Sequence, residues 1–531
     1  MKRYLTWLIT LAITPPAILA ALWLHAGWWL LALPATALAA LGTRDFVQRR
    51  HTLLRNYPLL ANIRWLIESV RPELRQYLFE SDTEATPFSR RQRSLVYRRA
   101  KGVNDKIPFG TEIDVNADGH EWVNPSAVPT AAQPDAAPRI VIGNDQCSQP
   151  YAASVLNISA MSFGALSAAA IRALNRGAAA GGFAHDTGEG GISPYHREGG
   201  GDLIWEIGSG YFGCRDAQGR FDAERFAEQA ADPQVKMIEL KLSQGAKPGH
   251  GGVLPGAKVT PEIAATRGVP AGQDCISPAA HSAFDSPRSM MEFLATLRAR
   301  AQGKPVGFKL CIGHRWEFLA LCKAMRETGI VPDFIVVDGG EGGTGAAPLE
   351  LTDHVGAPLR DGLWFVHNAL VGCELREQVH VGAAGKVTSG FRIARNLAMG
   401  ADWCNAARGF MFALGCIQSQ SCHTDACPTG VATQNAWRQR GLDVTDKSER
   451  VCRFHAQTVA ALTEVVGACG LNHPSELRPW HIARRTGHSH VQTLDRVYPF
   501  LQRGELLGGT TRADFREDWS RARSDRFRPA L

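Results

Sequence analysis

The sequence predicts an α/β protein, either a (β/α)8 TIM-type barrel or a doubly wound open sheet, preceded by an apolar N-terminal hairpin. From residue 150 onward short apolar runs recur, many of them followed by a glycine-rich loop and a helical pattern. Strands that alternate with helices indicate a parallel sheet covered by helices. A composition of 45% hydrophobic and 21% charged residues excludes wholesale disorder, and 531 residues allow two or three domains.

The first element is an apolar segment, Leu5–Gly42, that contains no Asp, Glu, Lys or Arg. Because about 20 residues cross a bilayer, this length predicts a hairpin of two helices, roughly Leu5–Leu24 and Trp28–Gly42. A cleaved signal peptide is the alternative, but its apolar core runs for only about 7–15 residues. Basic residues flank both outer ends, so the positive-inside rule predicts cytoplasmic ends. We therefore expect residues 1–43 to anchor the protein in the inner (cytoplasmic) membrane, with the catalytic domain in the cytoplasm.

The net charge of +7 is concentrated just after this segment. Residues 44–106 contain 14 Lys and Arg against 7 Asp and Glu, whereas the main part of the chain is nearly neutral. This distribution predicts a membrane surface as partner and no nucleic acid, since a nucleic-acid enzyme carries its positive charge on the main domain. A solvated amphipathic helix is the alternative, because the apolar residues have helical spacing. We expect residues 44–150 to form a basic, partly helical juxtamembrane region that ends in a Pro/Ala-rich linker over 120–145.

Six apolar runs are the candidate strands of the main domain. They are Ser154–Ser159, Val235–Leu242, Pro305–Ile312, Phe334–Val337, Val379–Val381 and Ala401–Ala407. Residues 151–480 are long enough for an eight-unit barrel, which leaves 481–531 as a C-terminal extension. The open sheet is favoured by matches to G-x-G-x-x-G such as Gly340–Gly345. However, Pro348 and Pro358 interrupt the stretch where a dinucleotide-binding unit needs a continuous helix.

In a barrel, phosphate groups commonly bind the loops after the last two strands. The candidates here are Gly385 and Gly390 in one loop, and Arg408 with Gly409 in the next. Small residues let backbone N–H groups approach a phosphate, and the arginine adds positive charge. Ordinary tight turns are the alternative interpretation of these glycines.

Three cysteines, Cys416, Cys422 and Cys427, follow with the spacing C-x5-C-x4-C and a proline after the last. Three thiolates on one loop can bind an iron–sulfur cluster, since a cluster that lacks one iron needs only three. They can also bind zinc, with His423 as the fourth ligand. Unligated reduced thiols are the third possibility.

Several longer segments make the sequence recognisable as a whole. They are Ser159–Ser167, Thr187–Gly191, Lys241–Gly252 with LPGAK following, Ile276–Pro278, Gly342–Ala346 and the cysteine segment through CPTGVATQ. In content and in order they resemble the FMN-binding synthase domain of glutamate synthases. The whole chain is similar to membrane-anchored, glutamate synthase-like FMN-binding proteins. The resemblance implies a (β/α)8 barrel that holds FMN, with a 3Fe–4S cluster beside it that passes electrons to the flavin.

The resemblance also implies roles for individual residues. Catalytic roles fall to Lys247, Gln244, Glu189 and Lys309, of which the first two would line the substrate pocket and the last would face the flavin. The cluster ligands would be Cys416, Cys422 and Cys427. The residues expected to bind the cofactor are Met161, Ser162, Lys309, Asp338, Gly339, Gly340, Gly385, Gly390, Arg408 and Gly409. The implied reaction is reduction of an imino acid, 2-iminoglutarate or a related compound, to an amino acid.

Departures from the family pattern shape the expected partners. We find no room for the amidotransferase or FAD/NADPH domains, so the expected small-molecule substrates are a 2-oxo or imino acid and ammonia. The expected electron donor is external, such as ferredoxin or a reductase. Tyr211 stands where the family has arginine, which predicts weaker binding of 2-oxoglutarate. The competing hypothesis is a membrane-tethered flavin and iron–sulfur protein that relays electrons to a partner enzyme.

Overall fold

The computed structural model describes residues 2–84, 86–131 and 137–530. The chain divides into two compact units, residues 1–90 and residues 91–531, which are described separately. The five residues 132–136, within the predicted linker, lie outside the described part.

The first unit begins with two long apolar helices, α1 (Leu5–Trp23) and α2 (Trp29–Val47), joined by the 3-10 turn Ala26–Trp28. By length and composition both could cross a membrane, as the sequence predicted. Small residues let the two helices approach, and Ala17, Ala21 and Ala32 form their buried contact. A 3-10 turn, Lys2–Tyr4, precedes α1. After α2 come the helices Thr52–Asn56 and Leu60–Leu74 and the π-turn Arg75–Phe79.

The second apolar helix is longer than the sequence predicted, since α2 continues past Gly42 to Val47. Asp45 explains the extension, because this carboxylate is buried rather than solvated. It accepts hydrogen bonds from the backbone N–H of Leu59 at 3.2 Å and from the side chain of Asn62 at 2.5 Å. A buried carboxylate that is hydrogen-bonded in this way does not end a helix.

The second unit is built on a closed barrel of eight parallel strands. In chain order these are β1 (Leu156–Ile158), β2 (His185–Asp186), β3 (Leu203–Ile207), β4 (Val235–Lys241), β5 (Val306–Leu310), β6 (Phe334–Asp338), β7 (His380–Ala384) and β8 (Trp403–Ala406). Each strand pairs with the next along the chain, and β8 pairs with β1 to close the barrel. The (β/α)8 prediction is therefore confirmed, and the doubly wound open sheet is wrong.

All six predicted apolar runs contain barrel strands, whereas β2 and β3 went unpredicted. Both missed strands are completely buried. They carry His185, Asp186 and Glu206 into the interior, and charged residues are rare at fully buried positions. β2 is too short to show a hydrophobic pattern, and in β3 the apolar run Leu-Ile-Trp-Glu-Ile is interrupted by Glu206, whose partners come from distant parts of the chain.

Helices cover the outside of the barrel. The longer ones are Ala168–Gly181, Ala223–Ala230, Pro287–Arg300, Arg315–Thr328, Leu359–Gly372, Gly390–Ala398 and Val444–Ala468. Two more helices of comparable length are Arg90–Lys101, before the barrel, and Ala513–Arg521. The shorter ones are Pro194–Arg197, Pro261–Arg267, Leu349–Asp353, Arg408–Leu414, Ala436–Gln439 and Leu494–Val497, with 3-10 turns at Gly256–Lys258, Pro474–Glu476 and Pro479–His481. The amino-terminal end of the barrel is filled by apolar side chains, among them Met237, Phe334, Val336 and Trp403.

Short strands outside the barrel tie the flanking segments together. Glu121–Val123 pairs with Ile482–Gly487, which pairs with His490–Thr493 to form a three-stranded antiparallel sheet. Two further pairs are Arg139–Ile142 with Tyr151–Ser154, and Val253–Leu254 with Cys275–Ile276. The predicted linker over 120–145 therefore contains strand residues. Composition could not reveal them, because their pairing partners lie elsewhere in the chain.

Close packing between two outer helices can be tested at Gly177, in the helix Ala168–Gly181. A Cβ atom there would lie 2.5 Å from Val451 Cγ1 and 2.7 Å from the carbonyl oxygen of Ser448. Although alanine is the better helix former, we expect Gly177→Ala to lower the free energy of unfolding by about 1–3 kcal/mol, because overpacking outweighs propensity. Urea denaturation measures this change. The control is Gly313→Ala, where a Cβ meets nothing within 4 Å; equal effects of the two variants would contradict the packing argument.

Candidate active site

A large cavity opens at the carboxyl ends of the barrel strands. Its wall comes from the segments that follow β1, β2, β4, β6 and β8 and from Glu206 in β3. Its empty volume is about 940 Å³, a figure that includes open solvent at the cavity mouth. This end of a parallel barrel is where barrel enzymes bind their ligands.

The cavity wall is rich in positive charge. Its described lining residues include five cations and two carboxylates, which are Lys241, Lys247, Lys258, Arg267 and Arg408 against Glu189 and Glu206. Low-dielectric walls lined by one sign of charge attract ligands of the opposite sign. The cavity therefore suits an anionic ligand, such as one that carries phosphate or carboxylate groups.

The segment from Gln244 to Lys247 forms one side of this cavity, as the sequence predicted. Lys247 has a left-handed backbone with φ of 52°, and its Nζ donates a hydrogen bond to the carbonyl of Ala346 at 2.8 Å. Burial lowers the pKa of this ammonium. Gly245 anchors the segment, because its N–H donates to Asp338 Oδ2 at 2.9 Å and a Cβ there would lie 1.9 Å from the carbonyl oxygen of the next residue, Gly339. The loop after β4 is thus held against the loop after β6.

Glu189 also lies in the wall and is paired with a lysine that the sequence analysis did not single out. Lys241 Nζ lies 2.5 Å from Glu189 Oε2 and 3.5 Å from Glu206 Oε1. Burial alone would raise the pKa of Glu189, but the charges of Lys241 and Arg267 outweigh it and lower that pKa. Glu189 is therefore a carboxylate that faces the cavity in its ionised form.

Lys309 lies beneath the cavity rather than in its wall. Its ammonium is buried in the barrel interior, bonded to Glu206 Oε2 and 3.2 Å from Glu239 Oε1. Burial alone would lower the pKa of Lys309, but the carboxyls of Glu206, Glu239 and Asp186 raise it well above its usual value. A contact between Lys309 and a flavin stays a prediction. The cavity residue that Lys309 contacts is Glu206.

The predicted cofactor-binding residues fall into two groups. Met161, Ser162 and Arg408 line the cavity, and Arg408 Nη2 donates to the carbonyl of Thr344 at 2.9 Å. The others lie outside its wall: Asp338, Gly339, Gly340, Gly385, Gly390 and Gly409.

Two of the outlying glycines have packing roles that the sequence could not show. A Cβ at Gly390 would lie 2.5 Å from the backbone nitrogen of Leu462, so this glycine lets two helices touch. A Cβ at Gly409 would lie 3.2 Å from the ring of Phe454. Gly385 instead begins the turn after β7, followed by Lys386 with φ of 48°. Phosphate contacts from these glycines stay a prediction.

The cysteine loop borders the same cavity. Cys422 lies in the wall, Cys427 is buried, and Lys258 Nζ donates to the carbonyl of Cys422 at 3.3 Å. Burial raises the pKa of the Cys416 thiol to about 11. For Cys427 burial acts in the same direction, but hydrogen bonds from Thr429 and nearby backbone N–H groups lower its pKa. Hydrogen bonds of this kind stabilise a metal-binding thiolate.

The spacing of the three cysteine sulfurs bears on which metal they suit. A tetrahedral zinc with Zn–S bonds of about 2.3 Å holds its sulfurs roughly 4 Å apart. Within residues 2–84, 86–131 and 137–530 the only three metal-ligating groups within 4.8 Å of one another are carboxylates elsewhere. At least one pair of the cysteine sulfurs is therefore farther apart than a tetrahedral zinc site requires.

Tyr211 does not take the place of an arginine in the cavity. Its side chain is completely buried outside the wall, and its hydroxyl lies 3.0 Å from His281 Nδ1 and accepts a hydrogen bond from Ala283 N at 3.2 Å. Arg267, which the sequence analysis missed, lies in the wall instead. Its Nη2 donates to Ser162 Oγ at 3.2 Å, and its Nε has no hydrogen-bond partner in the described part of the chain. The expectation of weak 2-oxoglutarate binding therefore loses its structural basis.

Most of the missed wall residues carried no separate sequence signal. Lys241 and Lys258 stand at the ends of the glycine-rich segments KLSQGAKPGHGG and LPGAK, so those segments could have indicated them. Arg267 ends the short helix Pro261–Arg267, and Glu206 lies inside a strand that was not predicted. Only the fold brings these two to the cavity.

Comparison with known proteins places the chain in a family. A profile described as a conserved region in glutamate synthase matches residues 125–472. The glutamate synthase large subunit-like protein YerD of Bacillus subtilis is 36% identical over an alignment of 508 residues that covers 88% of this chain and 96% of YerD. The archaeal NADPH glutamate synthase of Methanocaldococcus jannaschii is 34% identical over 326 residues, and this chain spans 60% of its length.

Solved structures with a similar course of the chain include two mutant enzymes. A mandelate oxidase with benzaldehyde has a TM-score of 0.41 at 15% identity, over 82% of this chain and 98% of the other. A flavocytochrome b2 with pyruvate has a TM-score of 0.39 at 13% identity, over 84% and 91%.

The matched region covers more than half of the chain, so this protein belongs to the glutamate synthase family. It is a glutamate synthase-like oxidoreductase whose cavity lies at the mouth of a (β/α)8 barrel.

The buried ion network can be tested at Lys309. Lys309→Met removes the ammonium that contacts Glu206 and Glu239, and breaking a buried ion pair typically costs about 3–5 kcal/mol. We expect a loss of that size in the free energy of unfolding, measured by urea denaturation in mildly alkaline solution. The loss should shrink in mildly acidic solution, because Glu239, with its pKa raised by burial to about 7, is then protonated and needs no counter-charge.

The matched control for Lys309→Met is the double variant Lys309→Met with Glu206→Gln. Removing the carboxylate together with the ammonium should restore part of the lost stability. A loss that is the same at both pH values, with no recovery in the double variant, would contradict the ion-network interpretation.

Proposed function

We propose that this protein is an FMN- and 3Fe–4S-dependent oxidoreductase that reduces an imino acid to an amino acid with electrons from an external donor. The observation that carries the proposal is one cationic cavity at the carboxyl ends of the barrel strands, with Cys422 of the three-cysteine loop in its wall. A redox centre and an anion-binding site would then be neighbours. 2-Iminoglutarate, or a related compound, is the proposed substrate.

FMN fits the cations of the cavity wall together with the turn after β7, which lies outside that wall. Arg408 in the wall and the turn at Gly385 and Lys386 lie after β8 and β7, where barrel proteins hold phosphate groups. Met161 and Ser162 would contact the ring system from the loop after β1. When bound, the flavin supplies two-electron reduction of a carbon–nitrogen double bond.

A 3Fe–4S cluster is the proposed occupant of the cysteine loop, held by Cys416, Cys422 and Cys427. The lowered pKa of Cys427 supports metal binding, because zinc and iron–sulfur clusters both bind thiolates, and the resemblance to glutamate synthases favours the cluster. The position of Cys422 in the cavity wall supports a short path for electrons into the cavity. Exposed residues of this loop, among them Gln420 and His423, would let an external donor such as ferredoxin or a reductase dock nearby.

For the substrate, two cations in the wall supply the charge that a dicarboxylate needs. Lys247 presents a buried ammonium that donates a hydrogen bond to the carbonyl of Ala346, and Arg267 has an unpaired Nε within the described residues. Guanidinium groups bind carboxylates through paired hydrogen bonds. Gln244 would orient the bound molecule, and Glu189 would hold a negative charge near the amino group that forms.

Membrane attachment is proposed for the N-terminal unit. Helices α1 and α2 would cross the inner membrane with both ends in the cytoplasm, and the basic residues after them would contact anionic lipid. The electron-transfer alternative shares this anchor, but it does not need a cavity lined by five cations. Ammonium with 2-oxoglutarate distinguishes the two, because only the enzyme reoxidises its reduced flavin with them.

Substrate affinity can be tested at Arg267, with Tyr211 as the matched control. Charged hydrogen bonds contribute about 1.5–3 kcal/mol, so Arg267→Gln should weaken 2-oxoglutarate binding roughly 10- to 100-fold. Tyr211→Phe should leave that affinity within about threefold, because its hydroxyl is bonded to His281 outside the cavity. Titration calorimetry measures both. A larger loss of affinity in Tyr211→Phe than in Arg267→Gln would show that Tyr211, and not Arg267, contacts the substrate.

The cluster can be tested separately from the flavin. Cys422→Ser should bleach the iron–sulfur absorption and leave FMN bound, because the proposed phosphate contacts lie in other loops. Absorption spectra with iron and flavin analysis measure the change. Finding one zinc and no iron in the wild-type chain would refute the proposed electron path.

The anchor can be tested by deleting residues 1–43. We expect release from membranes at high salt, with residual binding at low salt because each basic residue near an anionic surface contributes about 1 kcal/mol. Sedimentation with membrane vesicles measures the bound fraction. Salt-resistant attachment of the shortened chain would contradict the proposal.

A further inference from the structure

Directly beneath the cavity, three carboxyl groups meet in the barrel interior. One oxygen from each of Asp186, Glu206 and Glu239 lies within 4.8 Å of the other two, and all three residues are buried. They come from the adjacent strands β2, β3 and β4. Lys309 reaches them from β5, and its ammonium contacts Glu206 and Glu239.

The ammonium groups beside these carboxyls are too few to neutralise them if every carboxyl is ionised. Lys309 is one ammonium for three carboxyls, and Lys241, which lies 3.5 Å from Glu206 Oε1, is closer to Glu189 at 2.5 Å. The full set would hold four negative and two positive charges if every carboxyl were ionised. An excess of buried negative charge is costly, so at least one carboxyl of such a set keeps its proton.

Unsatisfied oxygens indicate where that proton resides. In the described part of the chain, Asp186 Oδ2 and both carboxyl oxygens of Glu239 have no hydrogen-bond partner of ordinary geometry, although Lys309 is 3.2 Å from Glu239 Oε1. A protonated carboxyl shared between these two residues would satisfy them. Burial and the neighbouring carboxylates raise the pKa of Asp186 well above its usual value, and burial raises the pKa of Glu239 to about 7.

The other charged groups around the cluster do not cancel this excess. Asp338, at the end of β6, adds negative charge near Lys309. His185, next to Asp186 in β2, has its ring against His196, and burial lowers its pKa to about 3, so it stays neutral. The positive groups Lys247 and Arg267 act on Glu189 rather than on the cluster.

We propose that Asp186, Glu239 and Glu206 form a proton relay that stores one proton beneath the cavity and delivers it to the molecule bound above. Glu206 is the link, because it belongs to the buried cluster and also lines the cavity. Asp186 and Glu239 act through it and are positioning residues in this sense. The delivery step rests on the proposed function, whereas the stored proton does not.

The chemistry of the proposed reaction needs such a proton. Reduction of a carbon–nitrogen double bond adds a hydride to carbon and a proton to nitrogen. With FMN bound, the hydride would come from the reduced flavin, which would be oxidised as the imine is reduced, and Glu206 would deliver the proton of the relay to the imine nitrogen. Between turnovers, the three carboxyl groups regain this proton from solvent through the cavity mouth.

Infrared spectroscopy of the purified full chain tests the stored proton without any turnover. At neutral pH we expect a protonated carboxyl C=O band that shifts on exchange into D₂O. The band should disappear in Glu239→Gln or Asp186→Asn, persist in Glu239→Asp, and be unchanged in the control Glu317→Gln, a half-buried carboxyl on an outer helix. Absence of the band, or its persistence in both cluster variants, would overturn the proposal.

The pH profile of flavin reoxidation by 2-oxoglutarate with ammonium tests delivery. Glu239→Gln should lower the rate at neutral pH about tenfold or more with KM little changed, and should shift the pH dependence of kcat. A rate and pH profile identical to the wild type would refute delivery. If the chain binds no flavin while the infrared band is present, the proposed function fails and the stored proton stands. Mn²⁺ binding that removes the band and is lost in Glu239→Gln would show a metal site instead of a proton store.

Discussion

The ammonium of Lys309 is the buried charge on which the upper half of the barrel depends. It enters the interior from β5 and contacts carboxylates of β3 and β4, while Asp186 of β2 lies within 4.8 Å of both. Strands β3, β4 and β5 are thus joined by ion contacts as well as by backbone hydrogen bonds, with the carboxyl of Asp186 from β2 beside them. Buried charges are tolerated only when they are paired, so each member of this group requires the others.

This network divides the barrel into two halves with different chemistry. Toward the amino-terminal end the interior is apolar, filled by residues such as Met237, Phe334 and Trp403. Toward the carboxyl end it is ionic, and Glu206 and Lys241 carry the charge up to the cavity floor. The apolar half stabilises the fold through burial, which leaves the ionic half available for binding and chemistry.

The segments that precede and follow the barrel in the chain pair with each other and contact the barrel helices. Glu121, in the stretch that composition marks as a linker, forms ion pairs with Arg360 at 3.0 Å and Arg395 at 3.4 Å on barrel helices. Its strand pairs with Ile482–Gly487, in the stretch that composition marks as an extension. Because an edge strand leaves unpaired backbone groups, each of these short strands requires the other.

Local patterns in the sequence determined the two apolar helices, the six apolar barrel strands, the cysteine loop and the position of Gln244 and Lys247. Each of these is encoded by neighbouring residues, through hydropathy or through a contiguous motif. Tertiary structure alone decided that β2 is a strand, that Arg267 rather than Tyr211 faces the cavity, and that Lys309 lies among three carboxyls. The reason is physical: a buried charge is stable only beside partners that are distant in the chain, and no local pattern records which partners those will be.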